Sequence, residues 1–356
     1  MKEKLLLFVS LALLAIRVNA QPKPYDFSDG KLFYKITNAE THEVYVVAEK
    51  GSGKYSTKLE GEITIPEQVA SGEVEYLVTG IAKQAFYMCD GITKVAFPKS
   101  LRKINDKAFL GCHNLVAVTL PENVEKIGKW AFMSCAQLEE INVDSGNAYF
   151  SSVDGVLYNK DATKLIQCPC GKTGSFEIPA TVKEIGRQAF YGCTNLKAMI
   201  IPGSVEKIGD DGFYACTRLR KIICEIVVPL AGDAMGAGVF EQVSTASVGG
   251  SCVLYVPKGS VESYSEASQW KKFAPNIKEI STTGVNSNTL NTFKAKGGNG
   301  EIIIARGVNG ELVEIFDMAG RLVRIVKANS SEVSVPLPSG IYIVKCNRVQ
   351  MKLSVK

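Results

Sequence analysis

The stretch INDKAFLGCHNLVAVTLPENVEKI, residues Ile104 to Ile127, decides the fold of this chain. Its frame of Ile104, Ala108, Phe109, Cys112, Leu115, Val118, Leu120, Pro121, Val124 and Ile127 is repeated on both sides. Ile127, Phe132, Cys135, Leu138, Ile141 and Val143 fill the same slots, as do Ile185, Phe190, Cys193, Leu196, Met199, Ile201 and Pro202. Phe-x-x-Cys pairs stand at Phe86/Cys89, Phe109/Cys112, Phe132/Cys135, Phe190/Cys193 and Phe213/Cys216, at spacings of 23, 23, 58 and 23 residues. The long interval is one repeat plus a 35-residue insertion.

The frame has a physical reading. Leu115-x-x-Val118-x-Leu120 has the alternation of a short strand with its apolar side turned inward. A single coil cannot bury that side, whereas stacked coils share a continuous core and align their strands as a parallel ladder. Pro98, Pro121, Pro179 and Pro202 end the strands, because proline has no N–H to give the ladder. Ser100, Asn123, Thr181 and Ser204 are expected to bond turn backbone that would otherwise go unpaired. Gly128, Gly186 and Gly209 are expected to supply permissive backbone for the following bend.

The run Val-x-x-Ile-Gly-x-x-Ala-Phe-x-x-Cys-x-x-Leu-x-x-Val-x-Leu-Pro resembles the BspA-type leucine-rich repeat of bacterial surface proteins, over roughly residues 62 to 280. The resemblance implies a mostly β leucine-rich-repeat solenoid with short parallel strands, and a role in attachment to host matrix proteins or other bacteria.

The rest of the chain is read around that solenoid. Residues 21–61 alternate apolar and polar side chains (Leu32, Tyr34, Ile36, then Val44, Val46, Ala48) and form an expected N-terminal β cap. Within the insertion, 144–178, Ser152 to Tyr158 and Lys164 to Cys168 read as two strands around the polar turn Asn159 to Thr163. Val261, Tyr264, Ala267, Trp270 and Phe273 mark one face of an amphipathic helix closing the stack. Residues 281–300, rich in Ser, Thr, Asn and Gly, read as a linker. Short strand-like runs over 301–356 predict a C-terminal β-sandwich. Its Glu314–Arg321 run, Gly340–Val344 and the terminal Lys352–Lys356 resemble the C-terminal sorting domain of type IX secretion. That resemblance implies export across the outer membrane and attachment at its surface, and with the repeat resemblance a source among Bacteroidetes-like bacteria. A plain immunoglobulin-like stalk is the alternative.

Residues 1–20 have the form of a signal peptide: Lys2 and Lys4, an apolar core from Leu5 to Ile16, and Val18-Asn19-Ala20 as the cleavage site. That core is short for a bilayer span, and no other segment reads as a transmembrane segment. The expected location is the cell surface or extracellular space, with the periplasm as alternative. The net charge of +5 falls to +3 without the leader's three cations and one anion, and no long basic run concentrates it. This argues against nucleic acid as a partner.

Ten cysteines in an exported chain suggest disulfides, but five fall at one repeat position beside core Phe and Leu, where Cys serves as a small apolar residue. Stacked side chains point in parallel and lack the converging geometry of a bridge. Free buried thiols are therefore expected. Cys168-Pro-Cys170 finds no second Cys or His pair for a zinc site, since His42 and His113 are the chain's two histidines. Gly171-Lys172-Thr173 and Gly51-Ser-Gly-Lys54 lack the remaining glycine and helix of a phosphate loop. No catalytic motif stands out, and neither enzyme activity nor a cofactor is expected.

What the register leaves for function is the outward side of the repeat strands. Lys94, Glu139, Glu140, Asn142, Lys197, Arg220 and Lys221 form a charged ribbon suited to a host matrix protein, a bacterial surface protein or a glycan. The alternative is a non-catalytic structural scaffold of the cell envelope.

Overall fold

The computed structural model describes residues 23–51, 55, 58–280, 294–298, 300–305, 312–318, 322–327, 332–346 and 349–356. The leader and most of the linker lie outside them. The protein is mostly β and divides into two compact units, Met1–Ile280 and Ser281–Lys356.

In the first unit each coil contributes to two parallel ladders. One runs through Gly61–Thr64, Ile92–Ala96, Ala117–Leu120 and Glu140–Val143. It is taken up again by Gly174–Glu177, Leu196–Ile201, Lys221–Cys224, Val253–Val256 and Ile277–Glu279. The other uses pairs such as Lys103–Ile104, Lys126–Ile127, Glu184–Ile185 and Lys207–Ile208. Leu115, Val118, Leu120 and Val124 are buried between the ladders, as the alternation requires.

The turns are stacked by the core Phe. The rings of Phe86, Phe109 and Phe132 lie 4.9 and 5.4 Å apart and nearly parallel, and those of Phe190, Phe213 and Phe240 lie 4.9 and 5.5 Å apart. This is the spacing of neighbouring strands, so backbone ladder and ring stack rise together. Phe86 N donates to Ala108 O at 2.7 Å, and Phe213 N donates to Val239 O at 2.9 Å. Two residues before and two after each of these Phe, the backbone is left-handed, with φ from +54° to +75°. Only some of these positions are glycine (Gly111, Gly192, Gly238). At the others the stacked neighbours offset a cost on the order of 1 kcal/mol per residue.

The repeat cysteines do more than fill space. Cys112 Sγ donates to Phe86 O at 3.0 Å, Cys135 Sγ to Phe109 O at 3.2 Å, and Cys216 Sγ to Phe190 O at 3.1 Å. The thiol thus fits an apolar slot and also bonds a carbonyl one coil back. Cys112, Cys135, Cys168, Cys170, Cys193, Cys216, Cys224 and Cys252 are free and buried.

Several local expectations need correction. Ser100, Asn123, Thr181 and Ser204 find their backbone acceptors one coil back: Ser100 Oγ donates to Val78 O at 2.7 Å and Ser204 Oγ to Val182 O at 2.8 Å. Asn123 and Thr181 reach back to Lys99 O and Ala162 O. Gly128 and Gly209 are needed for space and not for an unusual φ. A Cβ at Gly128 would meet Asp106 N at 2.3 Å, and one at Gly209 would meet Arg187 N at 2.5 Å.

The insertion holds four strands: three in an antiparallel meander where two were expected, and then Gly174–Glu177, which belongs to the first ladder. Ser152 to Tyr158 is bent at Asp154 (φ +50°) and Gly155 (φ +71°), the Asp-Gly turn that matches strand twist. Phe150–Val153 therefore pairs antiparallel with Val156–Asn159, which pairs in turn with Lys164–Gln167. Val156–Asn159 is buried on both faces: Leu157 joins the core of the first coils, and Val156 and Tyr158 join the core of the later ones. The coil is then completed in short form. Cys168 N donates to Ala189 O at 2.7 Å, the bond made elsewhere by a core Phe, so Cys168-Pro-Cys170 occupies a turn slot in the stack.

At the start, Phe33–Asn38 and Glu43–Val47 form a hairpin whose second strand pairs parallel with Val74–Ile81. At the end, the expected single helix is broken into Val261–Glu266 and a 3-10 turn Trp270–Phe273, with Gln269 between them at φ +64°. The break brings Trp270 and Phe273 to 5.1 and 4.9 Å from Phe240, closing the ring stack.

The second unit is a β-sandwich. Lys294–Gly297, Glu301–Ala305 and Glu332–Pro336 form one sheet. Leu322–Lys327, Leu312–Asp317, Gly340–Cys346 and Val349–Val355 form the other. Ile302, Ile304 and Val335 meet Val313, Ile315 and Val344 in its core. The first of these strands falls inside the stretch read as linker.

Candidate functional site

The ladder fixes where the ribbon residues stand. Lys94 is paired in register with Ala117, and Ala117 with Glu140, so these three form a row across adjacent coils. Glu139 stands beside Glu140, its N–H bonded to Val116 O at 2.9 Å, and Asn142 is in register with Thr119. Lys94, Glu139 and Glu140 are exposed and Asn142 is half-buried. Lys94 is neutralised by Glu62 at 3.1 Å, and Asn142 Nδ2 donates to Glu140 at 2.9 Å.

Lys197, Arg220 and Lys221 belong to the later ladder. Arg220 N donates to Lys197 O at 2.9 Å, and Lys221 is in register with Ala198 and Val253. Lys197 and Arg220 are exposed, and Lys221 is half-buried.

The structure does not join these two groups into one ladder. The tip of the insertion lies against the earlier one: Ile141 N donates to Gly155 O at 2.8 Å, and a Cβ at Gly155 would meet Glu140 Cα at 3.0 Å. Lys172, in the sequence stretch with a phosphate-loop look, instead donates to Asp154 O of that tip. The ribbon thus has an acidic stretch at Glu139 and Glu140, beside the insertion, and a basic end at Lys197, Arg220 and Lys221.

Sequence reasoning missed Arg218 and Tyr255 at the basic end. Arg218 Nη1 donates to Asn195 Oδ1 at 3.0 Å, from the turn before the strand. Tyr255 lies under Lys221, with Nζ 5.1 Å from the ring centroid. Turn position Arg218 follows from the repeat register once Asn195 is aligned to it, 23 residues earlier. Tyr255 sits in a coil whose motif is degenerate, so no sequence signal placed it.

On the other ladder an open groove of about 670 Å³ is lined by Lys164, Glu184, Arg187, Lys207, Asp210 and Asp233 among others. Its charges largely neutralise one another, with Lys164–Glu184 at 2.8 Å and Arg187–Asp210 at 3.9 Å. His113, in a turn, pairs with Asp90 at 2.7 Å. Burial pushes the Asp90 carboxyl up, but the hydrogen bonds from His113 leave it below the usual range. Among the described residues, no group of three or more His, Cys, Asp or Glu is placed to hold a metal ion. No helix among them is long and apolar enough to cross a membrane.

Coils of 23 residues, stacked through parallel strands and an internal Phe ladder, define a leucine-rich-repeat solenoid. Residues 79–169 and 164–245 match, in six copies, the BspA type leucine rich repeat region, and this part of the chain is such a region. Around Phe240 the frame recurs with its Cys replaced by Val243. Among solved structures, a leucine rich cell surface protein of Faecalibacterium prausnitzii is similar at 21% identity, covering 76% of this chain and 98% of its own, with a TM-score of 0.35. The T. pallidum leucine rich repeat protein is similar at 22% identity over 61% of this chain and 88% of its own, with a TM-score of 0.39. Pneumococcal vaccine antigen PcpA is similar at 18% identity over 71% of this chain and 98% of its own, with a TM-score of 0.26. The comparison with curated proteins gave no match.

Proposed function

We propose that this protein is an exported, cell-surface binding protein, adhesin-like in role, that presents the outward strand face of its solenoid to a protein or glycan partner. The observation that carries this reading is the division of side chains by the ladder. The core Phe, Leu and Ile of the repeats turn inward, with Cys where the frame keeps it, while exposed positions on and beside the same short strands hold Lys94, Glu139, Glu140, Lys197 and Arg220 on a rigid backbone. Such a surface binds through many shallow contacts without first ordering a loop. The C-terminal sandwich is proposed to act as the sorting domain that its sequence resembles, after removal of residues 1–20.

The test is an array of host matrix proteins, bacterial surface proteins and glycans probed with the full chain. Binding that is lost with Glu139→Lys or Lys197→Glu supports the reading, and a folded chain that binds nothing on the array overturns it. Protease shaving of intact cells tests the location. Digestion of the repeats supports surface display, and their protection favours the envelope scaffold.

A further inference from the structure

Most cations of the solenoid that have a close partner are bound to a carboxylate. Lys35, Lys58, Lys94, Arg102, Lys103, Lys164, Lys183, Arg187 and Lys272 all form ion pairs. Three cations at the basic end of the strand face are held differently. Arg218 is bonded to the neutral amide of Asn195 at 3.0 Å. Arg220 Nη1 is anchored to the backbone carbonyls of Thr217 at 2.9 Å and Leu219 at 3.0 Å. Lys221 rests over the Tyr255 ring at 5.1 Å. Lys197, one coil back, stands beside them, and among the described residues none of the four is paired with a carboxylate.

Arg218, Arg220 and Lys221 are therefore positioned while their charge is left uncompensated. Fixing a cation through neutral groups lowers the entropy lost when an anion arrives, and the guanidinium N–H groups not used by the tether remain as donors. The surrounding face also limits the kind of anion. The outward neighbours Ala198, Ile200, Ile223 and Val253 are half-buried or buried, and none of the large exposed apolar side chains lies on these strands. The buried core of a protein interface is more apolar than this face. A single-stranded nucleic acid is held by aromatic faces on which its bases stack, whereas the Tyr255 ring at this end is taken by Lys221.

We propose that Lys197, Arg218, Arg220 and Lys221 form a subsite for the sulfate groups of a sulfated polysaccharide. The proposal rests on the strand face being the binding surface, and it names the chemistry taken at one end of it. Each sulfate oxygen accepts from a guanidinium or ammonium N–H, and the sugar chain lies flat across the coils.

The experiment measures binding of dextran sulfate to the full chain, with neutral dextran, polyglutamate and a single-stranded oligonucleotide as the other arms. Dextran sulfate binds and is released by salt. Arg218→Ala, Arg220→Ala and Lys221→Ala each weaken it by about tenfold, as loss of a charge-assisted contact requires. Arg220→Lys recovers only part of the loss, because a lysine lacks the planar fork. Lys103→Ala and Lys183→Ala, whose cations are already paired with carboxylates, change binding less than about twofold. The proposal is overturned by dextran sulfate binding no better than neutral dextran, by equal losses at Lys183, or by equally tight binding of polyglutamate or the oligonucleotide. A chain that finds a neutral glycan or protein on the array but ignores dextran sulfate refutes the subsite alone. One that binds neither refutes the surface as well.

Discussion

Phe109→Ala removes the middle of the first ring stack. The Phe109 ring lies 4.9 Å from Phe86 and 5.4 Å from Phe132, within 11° of parallel, and meets Phe97 edge-on at 5.8 Å. It is 0% exposed, and the coils on either side are tied by backbone bonds that prevent collapse into the space left. Truncating a buried Phe costs about 3–5 kcal/mol, and poor relaxation places this site at the upper end. Loss of the stacked contacts contributes on the order of 1 kcal/mol of that total. Phe109→Leu restores most of the volume but not the stacking, and its expected cost is about 1–1.5 kcal/mol. Thr119→Ala, exposed in the strand of the same coil, is expected to change stability by less than about 0.5 kcal/mol. Urea unfolding of the full chain, followed by circular dichroism and by fluorescence of Trp130 and Trp270, gives the three values in one series. A cost below about 1 kcal/mol for Phe109→Ala would refute the stack as a source of stability.

Other sites give separate tests. Asn147 is fully buried and makes four bonds: its Nδ2 donates to Pro121 O and Val124 O, and its Oδ1 accepts from Tyr149 N and Phe150 N. Asn147→Ala leaves these groups unpaired at a cost of about 2–3 kcal/mol. Limited proteolysis should then cut first near residues 144–150, and an unchanged cleavage pattern would contradict the bonding. Gly128→Ala forces a Cβ onto Asp106 N. It should cost more than about 2 kcal/mol by thermal melting, and a neutral effect would show that the coils are less closely stacked than described.

The thiols give a pH test. Burial pushes Cys224 up to about 11 and Cys252 up to about 12, against an ordinary value of 9.0, and raises Cys112, Cys135 and Cys216 as well. The folded chain keeps protons that the unfolded chain releases, so stability is complete below pH 9 and declines as pH rises through 11 to 12. A melting temperature that stays flat across that window would contradict the burial. Peptide mapping after alkylation at pH 8 should modify these cysteines only once the chain is unfolded.

Much of the fold was legible because the repeat reports its own register. Once Phe109 and Cys112 are aligned with their copies, the inward positions of the strands follow without further information. The parts that were not legible depend on contacts between coils. Ser204 offers a hydroxyl whose sequence suggests a local turn, but its acceptor, Val182 O, lies a full coil earlier. Gly128 looks like a bend residue, and only the approach of Asp106 shows that it is a spacer. Ser152 to Tyr158 alternates well enough to pass for one strand, although Asp154-Gly155 holds the signal of a turn. The single closing helix failed because the buried aromatics had to reach Phe240, and a left-handed Gln269 achieves that where a continuous helix does not.

The candidate ribbon was partly legible for the same reason. Register places Lys94, Glu140, Asn142, Lys197 and Lys221 on the strands and Glu139 and Arg220 just before them, but it says nothing of their partners. The ion pair of Lys94 with Glu62 and the neutral tethers of Arg220 and Lys221 differ in chemistry, although the residues look alike in sequence.

The central claim is that function lies on the strand face of the solenoid. The most direct measurement compares partner binding by the wild-type chain, by a strand-face variant Lys197→Glu/Lys221→Glu, and by a variant Arg187→Glu/Lys207→Glu in the groove on the other ladder. Every partner captured by the wild type should be lost by the strand-face variant and kept by the groove variant. Binding that survives the first and is lost in the second would place the site on the opposite ladder and contradict the account.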